Sequence, residues 1–275
     1  MDKLLSVVIP SLGGNLSATL ESLNSGTVVP NEIIICLPNR KYSVDELNKN
    51  IKVIYSNKHG QVFQRIHGFK EAKGDLVLQL DDDVVVSPNC VELLIDTLNQ
   101  SKKAIAVSPC WYNSDDKKPL HQRRLSSFLM LLYYWIINGN KGYMSGEISL
   151  SGTNFGVNPN DVNKKVIDVD WQPGGCVLHD KSNIIFNNYY PYKGKAFYED
   201  LMHSFLLRES NVGLVVNVKA ICMTHINPRV GLGKELFLDI RARMYFVKMA
   251  NLSISRMCIF YVIYIVRSIL FRITH

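Results

Sequence analysis

Three carboxylates stand side by side at Asp81, Asp82 and Asp83, directly after the apolar run Leu76 to Leu80 and directly before Val84, Val85 and Val86. Like charges about 4 Å apart repel by roughly 4 kcal/mol at an effective dielectric near 20. A half-buried cluster of this kind therefore calls for a cation or for shifted pKa values. A hard divalent ion with oxygen ligands meets the need. Mg²⁺ takes one or two carboxylates and completes its shell with water and substrate phosphates, which a nucleotide diphosphate supplies. A bare aspartate triplet is more often a solvated turn; its place at the carboxyl end of an apolar strand is what points to a ligand. A second acidic pair, Glu199-Asp200, opens a helical segment, where acidic residues commonly complement the helix dipole.

The elements that must carry these groups alternate along the first 110 residues. Leu4 to Ile9 is an apolar, β-branched run closed by Pro10, and Leu16, Leu20 and Leu23 follow at helical spacing. Strand-like runs recur at Glu32 to Leu37, Lys52 to Tyr55, Leu76 to Leu80 and Ala104 to Ser108. Helical spacing fills Gln61 to Ala72 and the segment opened by Ser87 as N-cap and Pro88, with Val91, Leu94, Ile95 and Leu98 on one face. The β-α-β rhythm predicts an α/β fold, a mostly parallel Rossmann-like sheet with helices on both faces and ligands at the carboxyl ends of its strands. Beyond it lie an apolar run at Phe128 to Ile137, Gly-rich short-strand material from Gly139 to Leu178, a helix from Glu199 to Glu209 and two strands, Val212 to Val218 and Ala220 to Thr224. Three regions are expected: 1–108, 109–227, and 228–275 as a helical C-terminal extension.

At 275 residues, 47% apolar and 20% charged, the chain is a folded globular protein rather than a disordered or low-complexity one. The six cysteines are scattered singly, so neither a disulfide framework nor a zinc knuckle is indicated and a reducing compartment is expected. Met1 to Pro10 is too short for a signal-peptide core, and Met257 to Val266 is about half of what a bilayer span needs. The formal charge of +7 is concentrated in residues 228–275, where eight Lys or Arg face only Glu235 and Asp239. That basic, aromatic-bearing tail reads either as one or two helices in a membrane interface or as helices packed on the domain. In the first case Arg256 and Arg267, about 20° from eclipsed on a helix, both snorkel from one side. No basic stripe or RNA- or DNA-binding signature supports a nucleic-acid partner.

The ordered blocks Ser6 to Ser11 (SVVIPS), Glu32 to Ile35 (EIII), Arg65 to Asp75 (RIHGFKEAKGD) and Leu80 to Asp83 (LDDD) resemble the nucleotide-sugar half of the family 2 glycosyltransferases of GT-A fold. Trp171 to Gly175 (WQPGG), Glu199-Asp200 and His225 are similar to that family's acceptor segment, acidic helix start and additional metal-ligating histidine. The resemblance covers roughly residues 4–227 and implies a nucleotide-sugar-binding half at 1–108 and an acceptor-binding and catalytic half at 109–227. It implies donor contacts from Pro10, Ser11, Glu32, Arg65, Asp81 and Asp82, and an ion held by Asp83 with Asp81 and His225. It also implies acceptor contacts from Trp171, Gly174 and Gly175. Mn²⁺ or Mg²⁺ would serve, Mn²⁺ tolerating the histidine nitrogen better. Where relatives carry an acidic residue after the second strand this chain has Cys36 to Asn39, so UDP is the default nucleotide rather than one that the residues specify.

Inverting sugar transfer needs a base for the acceptor hydroxyl, worth typically 10²- to 10⁴-fold. Asp200 is the first candidate and Glu199 the second, since neighbours on a helix point about 100° apart. The expected partners are a nucleotide-sugar donor, a glycan or lipid-linked acceptor and the cytoplasmic face of a membrane in surface polysaccharide synthesis. Trp171 stacks on a sugar or sits in the core, the glycine pair is a turn or a place of close approach, and Arg123 and Arg124 either receive an anionic acceptor or are solvated. Two other classes share the architecture. A sugar-phosphate nucleotidyltransferase would want a basic Gly-rich first loop, which Ser11 to Ser17 lacks, and a non-catalytic membrane-peripheral module would keep only the fold.

Overall fold

The apolar runs are continuous because helices cover both faces of the sheet they form. Strand β1 (Leu5–Pro10) sends Leu5, Val7 and Ile9 into one core and Val8 into another. Strand β2 (Glu32–Leu37) likewise divides Ile33, Ile35 and Leu37 from Ile34 and Cys36. This is the two-residue period of a strand, apolar on both sides as in a parallel sheet. With β3 (Ile51–Tyr55) and β4 (Leu76–Leu80) they make a parallel block in the order β3-β2-β1-β4. Helices α1 (Ser17–Asn24) and α3 (Cys90–Gln100) pack Leu20, Leu23, Val91, Leu94 and Leu98 on the first face. Helix α2 (Gln61–Glu71) lays Phe69 on the second. It comes close because residue 68 is glycine: a Cβ there would lie 2.3 Å from Val8 Cγ1. The computed structural model describes residues 3–44, 49–122, 127–193, 195–225 and 233–274, with side chains to residue 270.

The sheet then turns mixed. Strand β8 (Cys176–Asp180) runs antiparallel between β4 and β6 (Ile105–Asn113), and β6 pairs in parallel with β9 (Gly213–Thr224). The short β5 (Val85–Val86) and β7 (Val166–Asp168) each pair antiparallel with β9. One sheet thus spans both halves, and β6 runs across residue 108. The two strands expected between Val212 and Thr224 are one strand with a register jump: Pro109 faces Asn217 while Cys110 faces Ile221. Pro109 has no N–H for the ladder, so a bulge falls there. Helix α3 starts at Cys90, two residues later than Ser87-Pro88 suggests.

The tail forms α6 (Lys234–Met249) and α7 (Ile254–Thr274), and both pack on the domain. Helix α6 buries Arg243, Phe246 and Val247, while Met257 and Tyr261 of α7 join the same cluster. Helix α7 also meets α4 (Phe128–Asn138), the apolar run. Arg256 does not snorkel alongside Arg267. Its guanidinium donates to the carbonyls of Trp135 and Ile136, at 2.9 Å for the former, satisfying the open C-terminal end of α4. No helix among the described residues is long and apolar enough to cross a membrane.

On the second face, His179 of β8 sits fully buried between Phe69 and His203, with neither ring nitrogen hydrogen-bonded within the described residues. His203 belongs to α5 (Glu199–Glu209). Burial holds the His179 imidazole well below its ordinary pKa, helped by His203 and Arg65, and pushes His203 down to about 3. As pH falls below about 6.5 the unfolded chain protonates first, so each such histidine costs native stability by up to about 1.4 kcal/mol per pH unit. His179→Leu, which removes an unsatisfied polar ring at similar volume, is therefore expected to raise the urea midpoint at pH 7 and to extend its lead at pH 5.5. Equal midpoints at both pH values would disprove the account.

Candidate active site

The three aspartates leave β4 and part company at once. The Asp81 N–H donates to Gly175 O at 2.9 Å, extending the β4·β8 ladder by one rung, and its Oδ1 accepts from Arg65 (3.1 Å) and Gln61 Nε2 (3.0 Å). Asp82 turns toward the first loop, where Ser11 Oγ donates to Oδ2 at 2.5 Å and Thr19 donates to its carbonyl. Asp83 is the most exposed of the three; its sole side-chain hydrogen-bond partner among the described residues is Thr224 Oγ1, at a long 3.4 Å. Burial raises all three carboxyl pKa values above the usual range, reinforced for Asp82 by Asp83 and for Asp83 by Asp81. The repulsion inferred from adjacency is thus present in the folded chain.

Arg65 stands behind this loop. It was expected to approach the nucleotide, yet it is only 1% exposed. One guanidinium nitrogen donates to both Glu199 oxygens at 2.9 Å and the other to Asp81. The Tyr189 hydroxyl adds a 3.0 Å bond to Glu199 Oε2. Glu199 is consequently committed to holding the site and is not a spare base, a correction to its place as the second candidate. Asp200, one residue on, has only the adjacent Leu201 N–H as a hydrogen-bond partner within the described residues (2.9 Å). Burial, then the Glu199 charge, pushes its carboxyl up to about 7.

A cleft of about 500 Å³ opens over these groups, lined by Asp81, Asp83, Glu199, Asp200 and His225 together with Trp171, Gly174 and Gly175. The glycine pair is a wedge between acids: a Cβ on Gly174 would come within 2.7 Å of Glu199 Oε1, and one on Gly175 within 2.9 Å of Asp81 Oδ2. Trp171 is 4% exposed, donates through Nε1 to Phe155 O at 2.9 Å and meets His121 edge-on, so it forms the cleft wall and not an open stacking platform. Pro10 ends β1 and Ser11 follows it, both buried behind Asp82. Glu32 falls elsewhere. It begins β2, about 16 Å along the strand from the carboxyl ends, and its Oε1 accepts from Ser6 Oγ and Lys73 N–H. Its assignment to the donor site is thereby corrected. Arg123 and Arg124 lie outside the described residues.

No three His, Cys, Asp or Glu side chains form a ready-made metal cage among the described residues. Asp81, expected to share an ion, has Oδ1 committed to Arg65 and Gln61. Asp83 and His225 nonetheless line the same cleft, and the His225 charge opposes the upward shift at Asp83. One carboxylate and one imidazole fit an ion whose shell is completed by substrate phosphates and water. His225 meanwhile bonds Asp115 Oδ1 through Nδ1 at 3.0 Å. Several participants escaped sequence reading. Asp115 lies 110 positions from His225 and Tyr189 ten from Glu199, and neither carries a local signature. Gln61 was readable only as the residue after Gly60, whose φ of 134° opens α2.

An α/β sheet with an acidic loop at the carboxyl end of its fourth strand, faced by a helix that opens Glu-Asp, is the architecture of a GT-A fold. The family model for glycosyl transferase family 2 matches residues 6–158, and the chain belongs to that family. Among curated relatives, the glucosyl-dolichyl phosphate glucuronosyltransferase of Haloferax volcanii is 26% identical over 134 residues, 45% of this chain and 40% of that protein. The chain thus spans about two fifths of the relative's length. Among solved structures, GalNAc-T7 with UDP, GalNAc and Mn²⁺ aligns with a TM-score of 0.58 at 17% identity over 87% of this chain and 48% of that one, a likeness of fold.

Because Arg65 is the shared counter-ion of two carboxylates, Arg65→Met strands both. We expect it to lower the unfolding free energy by about 3–5 kcal/mol, measured by urea denaturation, whereas Glu32→Gln, at the other end of the sheet, should leave donor affinity unchanged. A donor affinity that follows Glu32 instead would contradict the placement.

Proposed function

We propose that this chain is a metal-dependent inverting glycosyltransferase. It moves a sugar from a nucleoside diphosphate sugar, UDP by default, to a hydroxyl of a glycan or lipid-linked saccharide. The setting is a membrane face where surface polysaccharide is made. The observation that carries the reading is Asp200, a carboxyl pushed up to about 7 and opening on the same cleft as Asp83 and His225. A base of that strength is well matched to removing a hydroxyl proton near neutrality. The UDP and Mn²⁺ in the GalNAc-T7 structure and the dolichyl-linked sugar in the Haloferax relative's name support the donor, ion and lipid parts of the proposal.

Each residue then has a part. Asp82, held by Ser11, presents its carboxylate at the end of β1, where the ribose or sugar hydroxyls of the donor would bind. Asp83 and His225 would hold Mn²⁺ or Mg²⁺, whose chemistry is to neutralise charge on the leaving diphosphate. Asp200 accepts the acceptor's proton as the new bond forms at the anomeric carbon and the bond to the diphosphate oxygen breaks on the opposite side. Glu199, Arg65 and Asp81 keep the base and the loop in register without touching the reacting atoms.

Two substitutions separate these parts. Asp200→Asn should leave donor affinity intact and lower kcat by about 10²-fold or more. In the parent, kcat should rise with pH through about 7 and level off, because only the deprotonated carboxylate accepts the proton. Asp83→Ala should abolish the metal-dependent part of donor binding in calorimetry. Incubation with a panel of nucleotide sugars and Mn²⁺ should release nucleoside diphosphate; release of pyrophosphate instead would overturn the reading in favour of nucleotidyl transfer.

A further inference from the structure

We infer that the adjoining outer faces of α4 and α7 are a docking surface for an anionic lipid bilayer, which deepens, and for its purpose rests on, the membrane-face reading above. Of the eighteen exposed large hydrophobic residues among the described ones, eleven lie on these two helices. That is a concentration typical of an interaction surface and not of ordinary scatter. On α4 they include Leu129 (73% exposed), Leu132 and Trp135, at helical spacing; on α7, Ile259, Val262 (61%) and Val266 repeat along one stripe. The helices share a seam, since Phe260 of α7 packs on the cluster formed by Tyr134, Ile137 and Phe155, so the two stripes adjoin.

Charge selects the occupant. Neither helix carries an Asp or Glu, while exposed Arg267 lies close enough to Tyr133 of α4 for its charge, with that of Arg243, to oppose the burial that raises the Tyr133 hydroxyl pKa, placing a cation at the seam. An anionic headgroup layer suits an apolar stripe edged by arginine, at about 1 kcal/mol per cation near the surface. A second copy of the chain suits it poorly, because a two-fold contact through this face would set arginines together with no carboxylate on either helix to receive them. Trp135 has its indole N–H satisfied by Asn140 at 3.2 Å with the ring turned outward, the habit of an interfacial aromatic. At 11 and 21 residues, and without enough hydropathy to span, the helices would lie on the bilayer.

The surface also lies next to the cleft. Phe155 packs on Tyr134 and Ile137 of α4, its carbonyl receives the Trp171 indole, and its neighbour Asn154 lines the cleft wall. A saccharide carried on a lipid in the docked membrane would thus arrive on the acceptor side of Asp200.

Point substitutions in the full chain test this better than truncation, because Arg243 of α6 is buried against Phe260 and Tyr261 and loses that cover without α7. Co-sedimentation is measured with phosphatidylcholine vesicles and with vesicles also containing phosphatidylglycerol. The parent should bind the anionic vesicles preferentially. Leu132→Glu with Val262→Glu should abolish binding, and Arg267→Glu should lower the anionic partition coefficient by about tenfold or more. Thermal unfolding and nucleoside diphosphate release with a soluble acceptor should stay at parental values. Equal vesicle binding by the parent and the double variant, or no parental binding to either vesicle, overturns the inference. So does a parental dimer in light scattering that the double variant dissociates. Loss of transferase activity in the parent with vesicle binding intact would sink the enzymatic reading and leave the docking surface standing.

Discussion

One buried guanidinium organises the site. Arg65 reaches from α2 between the loop after β4 and the start of α5, and its charge is matched by Asp81 on one side and Glu199 on the other. A cation this deeply buried is tolerated only when paired and hydrogen-bonded, so the three elements must come together in one arrangement or the arginine loses its partners. The same requirement explains the glycine pair. Side chains at 174 and 175 would enter the space held by the two carboxylates, and β8 could not deliver its backbone to Asp81.

With Arg65 in place, chemically identical carboxylates become different tools. Glu199 is partnered by cation and phenol, Asp81 by cation and amide, Asp82 by a serine hydroxyl, and Asp83 and Asp200 are left with weak or purely local partners. Asp200 is crowded by burial and by the neighbouring Glu199 charge, with Arg65 opposing them only weakly, and its affinity for a proton rises. Environment, and not residue type, separates the carboxylates that strong partners hold from those left with weak ones.

That distinction marks the limit of what the sequence carries. The alternation of apolar runs and helical spacing made β1 to β4, β6 and their helices legible, because burial on both faces leaves a local pattern. The position of Asp81 to Asp83 at a strand's carboxyl end was legible for the same reason. Which acid faces a cation was not: Arg65 is 134 positions from Glu199, and nothing near either residue reports the other. Arg65 and Glu199 were accordingly expected at the donor and at the acceptor hydroxyl, whereas the fold pairs them with each other. Glu32 was carried to the donor site by its motif, although strand direction alone puts the first residue of a parallel strand at the far edge of the sheet. Strand β8 escaped because its pairing is antiparallel and its neighbours are distant in the chain.

The C-terminal helices pack on the domain, one of the two readings of the tail, and their inner side reaches the site. Arg243 of α6 is a second buried cation, and here aromatic rings replace carboxylates: its guanidinium lies 3.9 Å from the Phe260 centroid, 5.0 Å from that of Tyr261 and 4.9 Å from that of Tyr198, whose hydroxyl accepts from its Nε. Tyr198 holds a left-handed φ of 61° immediately before Glu199, a conformation that costs a non-glycine residue about 1 kcal/mol or more unless its surroundings impose it. The tie from Arg243 supplies such surroundings, so the inner side of the extension helps set the direction in which α5 begins and, through it, the aim of Asp200. Packing inward on one side while leaving apolar side chains exposed on the other is then a single arrangement in α7: Phe260 and Tyr261 cover Arg243, while Ile259, Val262 and Val266 stay exposed among the described residues.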